Sequence, residues 1–360
     1  MSSSIAIYAG KSALRQIKEN GFRADQIQMM AGASGGPKWF TLFGLDKYIF
    51  GEFFKDRQEP LYTIGSSAGA WRMACLAQKD PVAAISRLAN FYSHENYSEK
   101  PSVDEISDKA RILVDKFLGE TGAKEIVENP VIQTHLVVAR ARGMVSSESK
   151  YVQLAGLITA AGFNAISDKT LPWFFKRYNF HTLNKNSGFD SSYFNYNHDK
   201  TQYAELTPTN VKEVLLASGA IPLVLRGINE IEGVASGVYR DGGIIDYHFD
   251  VSFPQTGLVL YPHFHPIIKK GWFDKGLKYR HAKAENFDNV ILVTPSASHI
   301  SKLPYGKISD RNDFANLDTD TRIKYWQTVL SESERLAEDF ALLVEKGRGL
   351  ENIQAIESIL

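Results

Sequence analysis

Two short serine turns contain the residue types that a nucleophile and its surroundings require. They are GASGG at residues 32–36 and GSSAG at residues 65–69. In the nucleophile-elbow pattern, glycine-x-serine-x-glycine, the serine stands on a sharp turn between a strand and a helix, and the glycines avoid side-chain clashes. Because both turns follow an apolar, strand-like run, the pattern alone leaves open whether Ser34 or Ser67 is the nucleophile.

The second turn has the context that the pattern needs. An apolar run at 61–64 leads into it, and the small residues from 68 to 78 predict a helix. The positive end of such a helix favours an alkoxide developing on Ser67. A serine that only caps the helix is the simpler explanation, but a cap does not require the flanking Gly65 and Gly69.

The first turn has the composition of an anion site. Successive glycines before a helix expose backbone N–H groups near its positive end. Pro37 has no N–H, so the donors would be Gly35 and Gly36, with Lys38 a turn onward. This arrangement suits a phosphate or a developing oxyanion better than it suits a nucleophile, although a tight turn required by packing would look the same.

A serine nucleophile needs a base, and two arrangements are open. Asp241 and His299 satisfy the chain order of a serine, aspartate, histidine triad. Alternatively, Asp241 takes the proton itself, since it ends a short strand and is followed by Gly242 and Gly243. Both residues also have ordinary explanations, because Asp-Gly pairs mark turns and a lone loop histidine is usually solvated.

A metal site is the weaker reading of the acidic and histidine residues around Asp241. They have the ligand types that a metal prefers, but not the spacing of a known metal-binding pattern. We therefore predict no metal. The residues concerned are Asp241, Asp246, His248, Asp250, His263 and His265.

Length and composition limit the class of protein. The 360 residues are 44% hydrophobic, which is enough for a large core. The 41 basic residues balance 41 acidic residues, so no nucleic-acid partner is indicated. A single cysteine, Cys75, excludes internal disulfides. We find no signal peptide and no apolar run of membrane-spanning length, so we expect a cytoplasmic protein, with peripheral membrane contact left open.

Strand-like and helix-like segments alternate, with glycine-rich turns where strands end, and this pattern predicts an α/β sandwich. A polar, aromatic-dotted segment at 182–203 has no periodicity and predicts a loop. Strands are predicted at 4–9, 27–31, 61–64, 135–141, 258–261 and 290–294, and helices at 11–20, 38–50, 68–78, 81–128, 152–166, 209–218 and 319–346.

Four segments, taken in order, resemble the motifs of the patatin-like phospholipase family. They are SGGPK at 34–38, GSSAG at 65–69, LASGAIP at 216–222 and DGG at 241–243. The chain departs from the family where Ser34 and Trp39 replace usual glycines and where lysine replaces the commoner arginine at 38. These departures leave a redesigned entrance or an unusual substrate open.

The resemblance implies a fold and a domain organisation. The fold would be a three-layer α/β/α sandwich with a mostly parallel central sheet, and residues 1–300 would form a patatin-like acyl hydrolase domain. Residues 301–360 show no signal of the family, and we expect them to form a C-terminal helical extension packed on that domain.

The resemblance also implies an activity, that of a lipid acyl hydrolase. Ser67 would be the nucleophile and Asp241 its base, with no cofactor, and the Ser34 turn would supply the oxyanion hole. The substrate is left open among phospholipid, lysophospholipid, glyceride and acyl thioester. A triad esterase and a non-catalytic module that binds anionic lipid are the alternatives. The implied site consists of Ser67 and Asp241, the oxyanion-hole residues Gly35, Gly36 and Lys38, and the elbow and turn glycines Gly65, Gly69, Gly242 and Gly243.

One further segment, LPWFFKRY at residues 171–178, combines large apolar side chains with two cations. That composition suits a surface in contact with anionic lipid. A buried helix with a charged exposed edge is the alternative and the simpler interpretation.

Overall fold

The computed structural model describes residues 3–182, 201–254 and 256–360. The loop predicted at 182–203 lies almost wholly outside these described residues. Ten strands are present in the described ranges: β1 (Ile5–Ala9), β2 (Ile27–Gly32), β3 (Leu61–Ser66), β4 (Ile132–Ala141), β5 (Phe175–His181), β6 (Gln202–Glu205), β7 (Tyr239–Asp241), β8 (Leu258–Pro262), β9 (Val290–Pro295) and β10 (Gln354–Ala355).

The strands form a single sheet in the order β10-β1-β9-β8-β2-β3-β4-β5-β6, with β7 paired to β4. Its centre, from β9 through β8, β2 and β3 to β4, is parallel throughout, while β1, β5 and β7 join it by antiparallel pairing. The central strands are buried along almost their whole length, as expected of a sheet covered on both faces.

Helices flank this sheet, which confirms the predicted three-layer α/β/α architecture. Within the described ranges, none of them combines the length and the hydropathy that a membrane crossing requires. The helices are α1 (Lys11–Asn20), α2 (Phe43–Tyr48), α3 (Ala68–Leu76), α4 (Pro81–Ser93), α5 (Val103–Leu118), α6 (Gly122–Glu128), α7 (Lys150–Ile166), α8 (Val211–Gly219), α9 (Ala297–Ile300), α10 (Asp313–Asn316), α11 (Thr319–Glu332) and α12 (Glu334–Lys346).

Two long helices predicted from the sequence are interrupted. The stretch at 81–128 contains three helices, because Pro101 and the Ser102 cap start α5 anew and a positive φ of 63° at Gly119 ends it. The stretch at 319–346 breaks between α11 and α12, where the Gly44 amide donates a hydrogen bond to Ser333 Oγ. A Cβ on Gly44 would lie 2.6 Å from the Ser333 carbonyl, so close helix packing sets this break.

The segment at 171–178 is not the predicted helix, and as a whole it is not the predicted interfacial surface. It is a short 3₁₀ turn that runs directly into β5. Phe175 and Arg177 are buried, and Arg177 forms an ion pair with Asp246, so they cannot present an interfacial patch. Trp173 alone among its aromatic residues is largely exposed. The helix prediction was wrong because strand pairing with β4 overrides the local pattern.

Residues beyond 300 contribute to the same core as the N-terminal residues. The ring of Phe340 on α12 lies against Phe22, Tyr48 and Phe53, with ring centroids 5.5–6.0 Å apart. β10 pairs with β1 as the outermost described strand of the sheet on that side. A domain boundary near residue 300 remains a prediction.

Candidate active site

The two serine turns lie side by side because their strands are neighbours. β2 and β3 are parallel, and Gly32 pairs with Gly65 at their carboxyl ends. The helix α3 then packs closely over both strands. A Cβ on Gly69 would lie 1.8 Å from the Gly32 carbonyl oxygen. A Cβ on Gly65 would lie 2.6 Å from the Gly69 carbonyl oxygen. The glycines therefore permit a backbone approach that side chains would prevent.

Ser67 occupies the turn between β3 and α3 in a strained conformation. Its φ of 52° and ψ of −126° are rare for a residue with a side chain and are what a nucleophile elbow requires. The hydroxyl Oγ donates a hydrogen bond to Asp241 Oδ2 at 2.9 Å. The backbone N–H of Ser67 donates to Ser218 Oγ at 2.9 Å, and Ser218 in turn donates to the Val137 carbonyl at 2.8 Å.

Asp241 ends β7 and is buried. Burial raises its pKa to about 6, and hydrogen bonds from the Gly243 amide and the Ser67 hydroxyl limit the rise. The Gly243 N–H donates to Asp241 Oδ1 at 2.7 Å, which leaves Oδ2 for the serine. A Cβ on Gly242 would lie 2.2 Å from the Val137 carbonyl oxygen, so this glycine lets β7 approach β4.

The neighbouring serines, Ser66 and Ser34, have no such carboxylate partner among the residues that the structure describes. Ser66 Oγ is fully buried and donates to the Asp246 carbonyl. Ser34 Oγ lies 2.8 Å from Ser66 Oγ, and the Ser34 N–H donates to the Tyr247 carbonyl. The Ser34 hydroxyl thus connects the first turn to the second by a hydrogen bond, which is a structural role and not that of a nucleophile.

The amides of Gly35 and Gly36 have no hydrogen-bond partner among the described residues, and both glycines border cavities that include Ser67. Gly36 has a φ of 56°, and a Cβ on Gly35 would lie 2.5 Å from the Phe264 ring. The free amides fit the predicted role of an oxyanion hole. Lys38 is placed differently, because its Nζ pairs with Asp310 Oδ2 at 3.2 Å and it does not line the Ser67 pocket.

Two cavities meet at Ser67. The smaller, of about 20 Å³, lies between Ser67, Asp241 and the Gly35 turn and has room for about one water molecule. The larger, of about 230 Å³, extends away from Ser67 between apolar side chains. It also contains Glu95, whose pKa burial raises to about 7. Its apolar wall includes Trp71, Tyr97, Ile106, Leu113, Val224 and Phe314.

Two cations at the smaller cavity were not predicted from the sequence. Lys275 lies with its Nζ 3.7 Å from the centre of the Tyr247 ring, and loss of solvent contact lowers its pKa to about 8. Arg311 lines both cavities, and no carboxylate among the described residues lies within ion-pair distance of it. Neither residue belongs to a recognisable motif, since both come from loops that only folding brings to Ser67.

Comparison with known proteins adds little to this geometry. No model of a known protein family matches the chain, and no curated protein matches it. The crystal structure of VipD from Legionella pneumophila is similar with a TM-score of 0.35 and 12% identity, over 98% of this chain and 75% of that one. The chemistry proposed below therefore rests on the site itself.

His299 does not join Ser67 and Asp241. Three strand spacings, about 14 Å, separate β9, which precedes it, from β3. Its ring is buried near Glu332 and Asp339, and its Nε2 has no hydrogen-bond partner in the described part of the chain. Among the histidines that the structure describes, none forms a hydrogen bond with Ser67 or Asp241.

The acidic and histidine residues around Asp241 are engaged with other partners. Asp246 Oδ2 accepts a hydrogen bond from Arg177 at 2.6 Å, and Asp250 Oδ1 accepts one from Asn286 at 2.8 Å. In the described part of the chain, no three such side chains converge as metal ligands would. The arrangement offers a protonatable carboxylate beside a serine and no preformed metal centre among those residues.

Proposed function

We propose that this protein is a serine carboxylic-ester hydrolase that acts on lipid through Ser67 and Asp241. The observation that carries the proposal is the 2.9 Å hydrogen bond from a strained, turn-borne Ser67 hydroxyl to a buried carboxylate. An ordinary helix cap would direct its oxygen at the helix amides, and Ser67 makes no such bond. The free amides of Gly35 and Gly36 on the adjacent turn support the same proposal.

The reaction would proceed through an acyl-enzyme. Ser67 Oγ forms a bond to the ester carbonyl carbon while its proton passes to Asp241 Oδ2. The Gly35 and Gly36 N–H groups stabilise the negative oxygen of the tetrahedral intermediate. The intermediate collapses with cleavage of the ester C–O bond, and Asp241 returns the proton to the leaving alkoxide. Water then attacks the acyl-enzyme by the same path and releases the carboxylic acid and free Ser67.

A carboxylate is an effective base here because its surroundings adjust its pKa. An aspartate in water is a weak base with a pKa near 3.9. Burial raises the pKa of Asp241 to about 6, closer to neutral pH, where it is ionised and a better proton acceptor. No histidine is required for this step.

The cavities indicate the form of the ester. The apolar cavity of about 230 Å³ would take the acyl chain, or the first part of a long one. Lys275 at the smaller cavity and Arg311, which lines both cavities, would attract an anionic group on the leaving alcohol. A phospholipid or lysophospholipid has both parts, so we propose these as the substrate class.

Covalent labelling with a fluorophosphonate tests the nucleophile, and hydrolysis of a soluble nitrophenyl ester tests turnover. We expect Ser67→Ala to abolish both. Ser66→Ala is the matched control, because this neighbouring serine is buried against Asp246 and does not line either cavity. It should still be labelled.

Three results would contradict the proposal in different ways. Labelling that persists in Ser67→Ala but is lost in Ser34→Ala would reverse the roles of the two turns. A folded histidine variant as inactive as Asp241→Asn would favour a triad. An unlabelled, inactive protein that still binds anionic lipid would favour a non-catalytic module.

A further inference from the structure

The helix α7 buries polar side chains and exposes apolar ones, the reverse of the usual distribution. Its buried side carries one large apolar residue, Leu157, beside small residues and two amides, and Gln153 and Asn164 are both almost fully buried. Gln153 Nε2 donates to the Ser147 carbonyl at 2.8 Å, and Asn164 Nδ2 donates to Asp274 Oδ1 at 2.8 Å. A helix of a soluble domain normally buries its large apolar residues and exposes its polar ones, so the outer side of α7 requires an explanation.

The outer side is strongly apolar. Ile158 and Ile166 are 64% and 84% exposed, and Trp173, which follows the helix, is 64% exposed. The rings of Trp173 and Phe163 contact each other edge to face with centroids 5.8 Å apart. A contiguous exposed apolar patch of this kind marks an interaction site. We call the following residues the α7 face: Tyr151, Leu154, Ile158, Phe163, Ile166 and Trp173.

Unpaired cations surround the α7 face. Lys150 starts the helix, Lys169 follows it, and Arg142 and Lys176 line a cavity together with Trp173. None of these four has a carboxylate within ion-pair distance among the described residues.

The carboxylates nearby are already neutralised. Asp168 pairs with Lys270 at 3.0 Å, and Glu148 pairs with Arg240 at 2.6 Å. The net charge presented around the α7 face is therefore positive.

The α7 face is attached to the mouth of the Ser67 site. Gln153 Oε1 accepts the backbone N–H of Leu223 at 2.8 Å, and Leu223 directly follows Pro222, which lines the cavity at Ser67. At the other end of α7, Asn164 holds Asp274, the neighbour of Lys275. The buried side of α7 therefore contacts the immediate neighbours of two residues, Pro222 and Lys275, that line the smaller cavity at Ser67.

We propose that the α7 face docks on a lipid bilayer that contains anionic lipid, and so presents the Ser67 site to that surface. The role that we assign to this docking rests on the proposed function, since a lipid hydrolase must reach its substrate in a membrane. Apolar side chains flanked by cations are the composition that an anionic interface binds. A second copy of this chain on a symmetric interface would bring the four cations against the same four cations, which opposes self-association.

The test measures binding without turnover. The full chain carrying Ser67→Ala is sedimented with vesicles of phosphatidylcholine, with and without phosphatidylglycerol. We expect binding that increases with phosphatidylglycerol. Adding Ile158→Ser and Ile166→Ser should weaken binding at least about tenfold, since each side chain loses its burial in the acyl region. Ile112→Ser is the matched control, because Ile112 is 55% exposed on α5 and should have no effect.

The charged residues provide a second arm. Lys169→Gln and Lys176→Gln should each weaken binding about fivefold, and only to vesicles with phosphatidylglycerol. In the active chain, Ile158→Ser with Ile166→Ser should reduce turnover of vesicle lipid and leave hydrolysis of a soluble ester unchanged.

Equal binding by the double isoleucine variant, or no binding by the parent, would overturn the inference. A parent that is dimeric in analytical ultracentrifugation and a double variant that is monomeric would assign the face to a second copy and overturn it too. Failure of the proposed function is separate, because a chain that hydrolyses no ester but still binds vesicles through Ile158 and Ile166 leaves the docking inference standing.

Discussion

At the scale of single residues, the site depends on a buried charge. Asp241 accepts hydrogen bonds from Ser67 and from the Gly243 amide, yet burial still raises its pKa from the ordinary 3.8 to about 6. A carboxylate with a raised pKa favours folding only while it is protonated, so its contribution to stability is lost as the pH passes about 6. Function and stability therefore oppose each other at this residue.

Asp241→Asn should remove activity and add stability. We expect turnover to fall at least about a thousandfold, because serine and base act as one unit. At about pH 8 the free energy of unfolding of the variant should be greater by up to about 3 kcal/mol, since no buried charge has to form. The variant should therefore unfold at a higher temperature. At about pH 4 the gain should vanish. Thermal denaturation at both pH values measures this, and an equal gain at both would show that the charge is not the cause.

Lys275 should set the alkaline limit of activity on anionic esters. The catalytic efficiency should rise with pH through about 6 as Asp241 ionises, and fall above about 8 as Lys275 loses its proton. Lys275→Met should remove the alkaline fall and cost about fivefold or less in efficiency. Although its Nζ is partly desolvated against Tyr247, the residue as a whole is exposed, so water screens its charge. Full pH profiles on a neutral and an anionic ester measure this. An alkaline fall that persists in Lys275→Met would assign it to another group.

At the scale of elements, the strained elbow is held by a helix and a strand that do not contain it. Ser218 on α8 accepts the Ser67 N–H and donates to the Val137 carbonyl of β4. The Asp241 N–H donates to the Ala220 carbonyl, so the end of α8 also positions β7. One segment thus aligns both partners of the serine–carboxylate contact.

Ser218→Ala should lower turnover about tenfold without changing the Michaelis constant, because it frees the backbone of Ser67 and leaves the cavities unchanged. It should also destabilise the fold by about 1–2 kcal/mol. Ser333→Ala is the matched control, since Ser333 Oγ likewise accepts a backbone N–H and donates to a backbone carbonyl. Ser333→Ala should lose similar stability and keep full turnover. Equal turnover losses in both variants would mean that general loosening is responsible.

At the scale of the whole molecule, the C-terminal helices belong to the main core. Trp326 on α11 is fully buried against Phe40, with ring centroids 5.3 Å apart, and Phe340 on α12 lies between Phe22 and Phe53. These contacts join the two ends of the chain through side chains as well as through the β1–β10 pairing.

Phe340→Ala should therefore destabilise the whole protein by about 3–5 kcal/mol, the cost of a large cavity in a packed core. We expect one unfolding transition at a lower temperature, measured by calorimetry. The exposed Phe91→Ala on α4 is the control and should change the transition little. Two separated transitions would instead show that residues 301–360 unfold on their own and would support the predicted boundary.

The sequence by itself determined the layered fold and the two serine turns. Alternation of apolar strands and helices predicted an α/β sandwich, and the glycines at 32, 65 and 69 marked the tight turns where strands end. These features are local, since each is written in a few consecutive residues whose backbone or burial requirements do not depend on distant partners. The sequence also proposed Asp241 as the base for Ser67, through the family resemblance, with a triad that adds His299 as the alternative.

Only the tertiary structure shows which of the candidate residues lie together. Sheet order separates His299 from Ser67 and brings Asp241 Oδ2 within 2.9 Å of Ser67 Oγ, although the two residues are 174 positions apart in the chain. It also brought Lys275 and Arg311 to the site and turned the apolar side of α7 outward, which periodicity cannot specify. The physical reason is the same in each case. The periodicity of apolar residues indicates which side chains share a face of a helix or strand, but only the packing of distant elements determines what that face contacts.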